Sequence, residues 1–199
     1  MESLIYLIRH GAIDKPSPRS FLGQTDLALN STGIYQAQSL RAHLQDIPFT
    51  AVFSSPLQRA MQTAALVGGR PHAEIQQIED FKEINLGAWE GLSVSEVQIR
   101  FPGAYERRGQ DLEFFRPLGG ESFTDLAARS YPTLLNLAHR QPGPLLIVAH
   151  AGVNRVLLAQ VQGMGLAQIF TIPQDYCGVN ILRYNREKVR VESINLRLQ

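Results

Sequence analysis

Three stretches of the chain are apolar without interruption and then stop at residues with chemical use. Leu4-Ile5-Tyr6-Leu7-Ile8 ends in Arg9-His10-Gly11, Ala51-Val52-Phe53 ends in Ser54-Ser55-Pro56, and Leu145-Leu146-Ile147-Val148-Ala149 ends in His150. Short apolar runs that turn polar only at their ends predict parallel strands covered on both faces. Between them, apolar positions recur at helical spacing. Asn30 to Leu44 opens on capping residue types and sets Ile34, Ala37, Leu40 and Leu44 along one face. Pro56 to Val67 has proline in its first turn and Gly68-Gly69 beyond its end. Ser122 to Arg140 and Gly152 to Gln162 follow the same logic. Tyr176 to Tyr184 and Lys188 to Leu196 alternate and predict a closing antiparallel pair.

Strands that alternate with helices predict an α/β fold, here a three-layer α/β/α arrangement with a mostly parallel central sheet. Ligands of such sheets bind beyond the carboxyl ends of the strands, so the three strand ends should converge on one crevice. Two segments break the periodicity: DKPSPRSFLGQT at 14–25 and FPGAYERRGQDLEFFRPLGG at 101–120. Both read as loops over the crevice. The expectation is a single domain over 1–199, with loops 12–25 and 101–120 as its lid.

Composition narrows the function classes. A chain of 199 residues can bury a full core without staples. Its net charge of +1 lacks the basic excess of a nucleic-acid binder. Arg outnumbers Lys sixteen to three, which supplies planar forks suited to carboxylates and phosphates. The single cysteine, Cys177, has no partner for an internal disulfide, which suits a reducing cytosol. The first apolar run is too short for a signal peptide or a membrane span. A soluble cytoplasmic protein is expected, monomer or homodimer, with no membrane or nucleic-acid partner.

Five residues fall where this architecture puts a site. Arg9 and His10 follow the first strand, Arg59 lies one turn into the helix after the second, and His150 ends the third. Glu83 lies in FKEINLGAWEG, between helical stretches. Arg can meet a phosphoryl group with two parallel hydrogen bonds, and the N–H groups of a helix start add donors. Imidazole is largely uncharged near neutral pH and competent as a nucleophile toward phosphorus. A carboxylic acid beside the leaving oxygen can protonate it and then deprotonate an incoming water. Zinc is the rival use for two histidines. However, His10 and His150 lack a neighbouring Cys, His or carboxylate at ligand spacing. Taken singly, each of the five also fits a structural role.

The ordered motifs resemble those of the histidine phosphatase superfamily, the group that includes cofactor-dependent phosphoglycerate mutase. LIYLIRHG is similar to its strand plus Arg-His-Gly, and FLGQTDLALNSTGIYQA to its next segment. SSPLQRAMQTA, EINLGAWEG, GGESFTDLAAR and LIVAHAGVNR resemble its later ones. The resemblance implies a phosphoglycerate mutase-like fold and a metal-independent phosphomonoesterase with no cofactor and a small phosphorylated substrate. It also implies that His10 is phosphorylated and that Glu83 is the general acid and base. Arg9, Arg59 and His150 would bind the phosphoryl group with the backbone at Gly11 and Ala151, while Gly23 and Gln24 would face substrate. Mutases carry Tyr and Lys three and eleven residues after this Glu, where this chain has Leu86 and Val94. That departure favours hydrolysis. Arg107-Arg108 lies about where mutases grip a substrate carboxylate, and would admit anionic phosphoesters. The most similar branch is the alpha-ribazole phosphatases of cobalamin assembly. The alternatives are a phosphoglycerate mutase and a phosphate-binding module without catalysis.

Overall fold

Strand β1 (Ser3–Arg9) is buried along nearly its whole length and lies inside a six-stranded sheet. The other strands are β2 (Ala51–Ser54), β3 (Gln76–Gln77), β4 (Gly143–Ala149), β5 (Val179–Tyr184) and β6 (Val189–Leu196). This computed structural model describes residues 2–14, 18 and 20–198. Of the expected lid segment 12–25, positions 15–17 and 19 lie outside the described residues. The sheet order is β3-β2-β4-β1-β5-β6. Pairs β2–β3, β2–β4 and β1–β4 are parallel, and β1–β5 and β5–β6 antiparallel. The mostly parallel sheet and its antiparallel close are thus as expected.

Side chains alternate across the strands, so each apolar run feeds two cores. Ile5, Leu7, Phe53, Leu145 and Ile147 face α5 (Phe123–Arg140) and α6 (Ala151–Gln162). Tyr6, Ile8, Val52, Leu146 and Val148 face α1 (Ser31–Leu44) and α2 (Gln58–Gly68). Helices on both faces complete three α/β/α layers. Among the described residues, no helix is long and apolar enough to cross a membrane.

Three expectations need correction. On α1 the buried positions are Gly33, Ala37, Leu40 and Leu44, while Ile34 is exposed. Gly33 turns inward because the helix packs backbone to backbone on the Gly11-Ala12 segment. A Cβ on Gly33 would come within 2.1 Å of the Ala12 carbonyl oxygen. Second, α2 starts at Gln58 rather than Pro56. Leu57 is still extended, and a distant side chain caps the helix: Gln58 N–H donates to Asp26 Oδ1 at 2.7 Å. Third, segment 101–120 is not all loop. It contains α4 (Ala104–Gln110), launched from Gly103 at φ 74°. It packs beside α3 (Val94–Arg100), which begins in a Ser93/Glu96 capping box.

Candidate active site

Register decides where the site lies. Arg9 pairs with Ala149 across the parallel β1–β4 ladder, so His10 and His150 emerge together, their ring centroids 5.1 Å apart. Ser54 pairs with Val148 on the other side of β4, which brings Ser55 to the same end. Arg59, in the first turn of α2, reaches the group from there.

The hydrogen bonds fix both imidazoles. His10 Nδ1 lies 2.8 Å from the Gly11 carbonyl, which can only accept. The proton therefore sits on Nδ1, and Nε2 keeps its lone pair. For His150, Arg59 Nε–H donates to Nδ1 at 3.3 Å, so Nε2 carries the hydrogen and donates to Ser55 Oγ at 2.8 Å. Burial pushes the His10 pKa well below 6.5, and the Arg9 and Arg59 charges push it further. Burial likewise lowers His150, with His10 and Arg59 the leading charges against it.

This has a consequence for stability. A histidine whose folded pKa lies below its unfolded one binds fewer protons in the fold. Its stabilising contribution is complete above the unfolded pKa and is lost as pH falls toward the folded one. The thermal midpoint in phosphate-free buffer should be level above about pH 7 and fall steadily below the ordinary histidine value of 6.5. Calorimetry down to about pH 5 checks this, and a level profile would contradict the buried neutral pair.

Arg59 spends three of its five N–H groups on the protein. Besides His150, Nη1 donates to the Thr25 carbonyl at 2.6 Å and Nη2 to the Gly23 carbonyl at 2.8 Å. The Gly23–Thr25 loop is held in turn by Glu90. Its carboxylate accepts from Gly23 N–H at 3.1 Å and Gln24 N–H at 2.7 Å, and from the Thr25 hydroxyl at 2.8 Å. A Cβ on Gly23 would meet Glu90 Oε1 at 2.3 Å, so only glycine allows this cradle. Arg9 Nη1 donates to the Gln174 carbonyl at 2.7 Å, the Tyr176 side chain gives the guanidinium a further hydrogen bond, and Nε is buried without one.

Glu83 lies between two short 3-10 turns, Glu79–Phe81 and Gly87–Trp89. Its carboxylate accepts from Ile84 N–H at 2.9 Å and from Gly152 N–H at 3.0 Å, the latter in the first turn of α6. A negative group is favoured at that helix end. The segment behind it is braced by Glu121, which accepts from Asn85 N–H at 2.9 Å and pairs with Arg129 at 2.8 Å. Arg129 also donates to the Glu83 carbonyl at 3.1 Å.

Arg9, His10, Arg59, Glu83 and Ala151 wall one cavity of about 490 Å³. The other expected residues stand elsewhere. His150 is fully buried behind His10 and does not reach the wall. Gly11 gives its carbonyl to His10 and its N–H to Thr63 Oγ1 at 3.0 Å. Gly23 and Gln24 support from outside, Gln24 Nε2 donating to the Glu83 carbonyl at 2.9 Å. The arginine pair splits because neighbours on a helix diverge: Arg108 lines the cavity and Arg107 is exposed. Arg108 lies 6.0 Å from the rings of Phe21 and Phe123 and 5.8 Å from that of Phe170, and no ion pair joins it among the described residues. Leu86, Val94, Arg155 and Tyr176 also line the wall. Arg155 and Tyr176 were not singled out from sequence; the Arg in LIVAHAGVNR was the available signal for Arg155. Among the described residues, Glu83 is the single carboxylate on a wall with four arginines, a chemistry for anions.

The chain is similar to known proteins over nearly its whole length. The model of the histidine phosphatase superfamily (branch 1) matches residues 5–197. The uncharacterized phosphatase PhoE of Bacillus subtilis is 30% identical over 194 residues, 96% of this chain and 94% of that protein. A probable 2-carboxy-D-arabinitol-1-phosphatase of Arabidopsis thaliana is 29% identical over 181 residues. That alignment takes in 90% of this chain but 38% of the longer plant protein. The crystal structure of the alpha-ribazole phosphatase from Shigella flexneri has a TM-score of 0.88 at 27% identity, covering 98% of this chain and 96% of that one.

Proposed function

The chain belongs to the histidine phosphatase superfamily, and on that premise we propose how this phosphoric monoester hydrolase works and what it takes. The observation that carries the reading is the His10 tautomer: Nδ1 is tied to Gly11, and Nε2 is left as a nucleophile between two arginines. Nε2 attacks phosphorus, the P–N bond forms and the ester P–O bond breaks. Glu83 acts as general acid and gives a proton to the leaving oxygen. As a carboxylate it then takes a proton from water, whose oxygen attacks the phosphohistidine and frees phosphate. Arg9, Arg59 and the first turn of α6 at Ala151 hold the dianion throughout. His150 acts through Arg59, whose guanidinium it anchors. The arginines supply the charge that a metal would otherwise bring, so chelators leave turnover unchanged.

The cavity beyond the phosphoryl group supports a bulky leaving alcohol. Leu86 and Val94 make apolar the part of its wall where a mutase would carry Tyr and Lys, which favours hydrolysis over a mutase with a second phosphate to grip. Phe21 and Phe123 offer rings against which a nucleoside-like body packs, so alpha-ribazole 5'-phosphate is the substrate we propose first. We propose that the described part of segment 12–25 and segment 101–120, with its helix α4, act as the lid of one domain. The test is kcat/KM at fixed pH across a panel: alpha-ribazole 5'-phosphate, carboxylated sugar phosphates, phosphoserine, and 3-phosphoglycerate with and without 2,3-bisphosphoglycerate. Isomerisation in the last pair would replace this reading with a mutase.

Arg108 would in addition admit anionic leaving groups. Losing a hydrogen bond to a charged group costs about 10-fold or more in binding. Arg108→Ala should therefore raise KM for carboxylated phosphoesters about 10-fold while sparing neutral ones. Arg107→Ala, on the solvent side, should do neither. Equal effects on both substrate classes would withdraw the assignment.

A further inference from the structure

The turn from Asp175 to Gly178 is held more firmly than a connection needs. Its Cys177 is fully buried and left-handed, at φ 52°, a conformation residues with a side chain rarely adopt. Cys177 N–H donates to the carbonyls of both Arg9, at 3.1 Å, and His10, at 3.3 Å, while Arg9 N–H donates to Gly178 O at 3.3 Å. From the other side, Asp175 N–H donates to Asn195 Oδ1 at 2.7 Å, and Asn195 Nδ2 to Asp175 Oδ2 at 2.9 Å. Asn195 is itself left-handed, at φ 54°. Below lies a buried amide cluster. Asn154 Nδ2 donates to Gln174 Oε1 at 3.0 Å, Gln174 Nε2 to Asn180 Oδ1 at 2.8 Å, and Asn180 Nδ2 to the Leu7 carbonyl at 2.8 Å. Strained backbone that its surroundings over-determine points to something being held in place.

What the turn holds is Tyr176. Its ring centroid lies 3.9 Å from Arg9 Cζ, so the ring covers the guanidinium, and its centroid is 5.6 Å from that of His10. It also lines the cavity. Apart from Tyr176, whose side chain also hydrogen-bonds it, the partner of the Arg9 guanidinium is the Gln174 carbonyl, and that one bond leaves the planar fork free to swing. A ring face removes that freedom and favours the cation.

We propose that Tyr176 is a positioning residue of the phosphoryl site, its ring setting the plane of the Arg9 guanidinium so that Arg9 and His10 meet the same phosphoryl group. The proposal rests on the reading of His10 and Arg9 given above. Burial opposes the charge of Arg9, and Tyr176 leads the groups that offset it.

The test is a double-mutant cycle read by p-nitrophenyl phosphate turnover and by inhibition with inorganic phosphate. Tyr176→Leu should lower kcat/KM roughly 10-fold and weaken phosphate inhibition in step. Tyr176→Phe, which keeps the face and loses the hydroxyl's hydrogen bond to Arg9, should recover the part of that loss that the face carries. In an Arg9→Ala background, Tyr176→Leu should cost nothing further, because the group it acts through is gone. A full additional loss in that background, or phosphate inhibition unmoved in the single variant, would overturn the proposal. Tyr176→Met, similar in reach and without a face, repeats the measurement if the leucine variant folds poorly. Radiolabelled substrate, quenched on the wild-type protein, separates the two levels. Without label on His10, the underlying mechanism fails. With label on His10 and an additive cycle, only the role of Tyr176 fails.

Discussion

His10→Ala is expected to stop turnover, with a loss on the order of 10⁵-fold or more, because among the described residues no second imidazole lines the cavity. The neighbouring imidazole is no substitute. His150 Nδ1 accepts from Arg59, and its Nε2 carries a hydrogen given to Ser55. Neither nitrogen has a lone pair to offer the ester. The variant should still bind inorganic phosphate, since Arg9, Arg59 and the start of α6 remain on the wall. Binding and chemistry thus separate in one experiment. Rapid quench with labelled substrate should trap an acid-labile phosphohistidine in the wild type and none in His10→Ala. Label on a histidine of the variant would move the nucleophile elsewhere. Added imidazole, small enough for the vacated space, should restore part of the rate.

The second large effect is at Arg59. Removing one preorganised charge donor from a dry site costs roughly 10²- to 10³-fold in turnover, and Arg59→Ala should fall in that range. The structure adds that Arg59→Lys should not restore it. The guanidinium binds the carbonyls of Gly23 and Thr25 and the ring of His150 at once, while two further N–H groups remain for the ligand. One ammonium nitrogen cannot reach all of these positions. Two buried carbonyls lose their donor in either variant, so a lower thermal midpoint should accompany the kinetic loss. Steady-state kinetics and calorimetry on both variants check this. A nearly wild-type rate for Arg59→Ala would remove Arg59 from the site.

What the chain revealed in advance, and what it hid, follows from how local each feature is. β1, β2 and β4 were legible because their covered faces demand unbroken apolar runs, and their polar stops marked the crevice. Arg9, His10, Arg59 and Glu83 do line one cavity, although roles for them came from motif resemblance rather than from pattern. Ile34 misled because hydrophobicity does not reveal a helix that approaches through glycine, as Gly33 does on Ala12. Helix α4 hid between Pro102-Gly103 and Arg116-Pro117, where seven residues are too few to show a period. The start of α3 is legible in sequence as the Ser93-x-x-Glu96 capping box. Tyr176 could not be found locally. It meets Arg9 because β5 runs antiparallel beside β1, so the turn before β5 arrives where β1 ends.

That same turn decides how the protein meets oxidants and electrophiles. Cys177 lies one residue from the cavity wall, yet it is fully buried, and burial pushes its thiol up to about 12. Near neutrality almost none of it is thiolate, the form that alkylates or oxidises. A phosphatase with sulfur so close to its reacting centre would ordinarily answer to the redox state of its surroundings. Here the sulfur is packing material, and the histidine chemistry proposed beside it would be insulated from that signal.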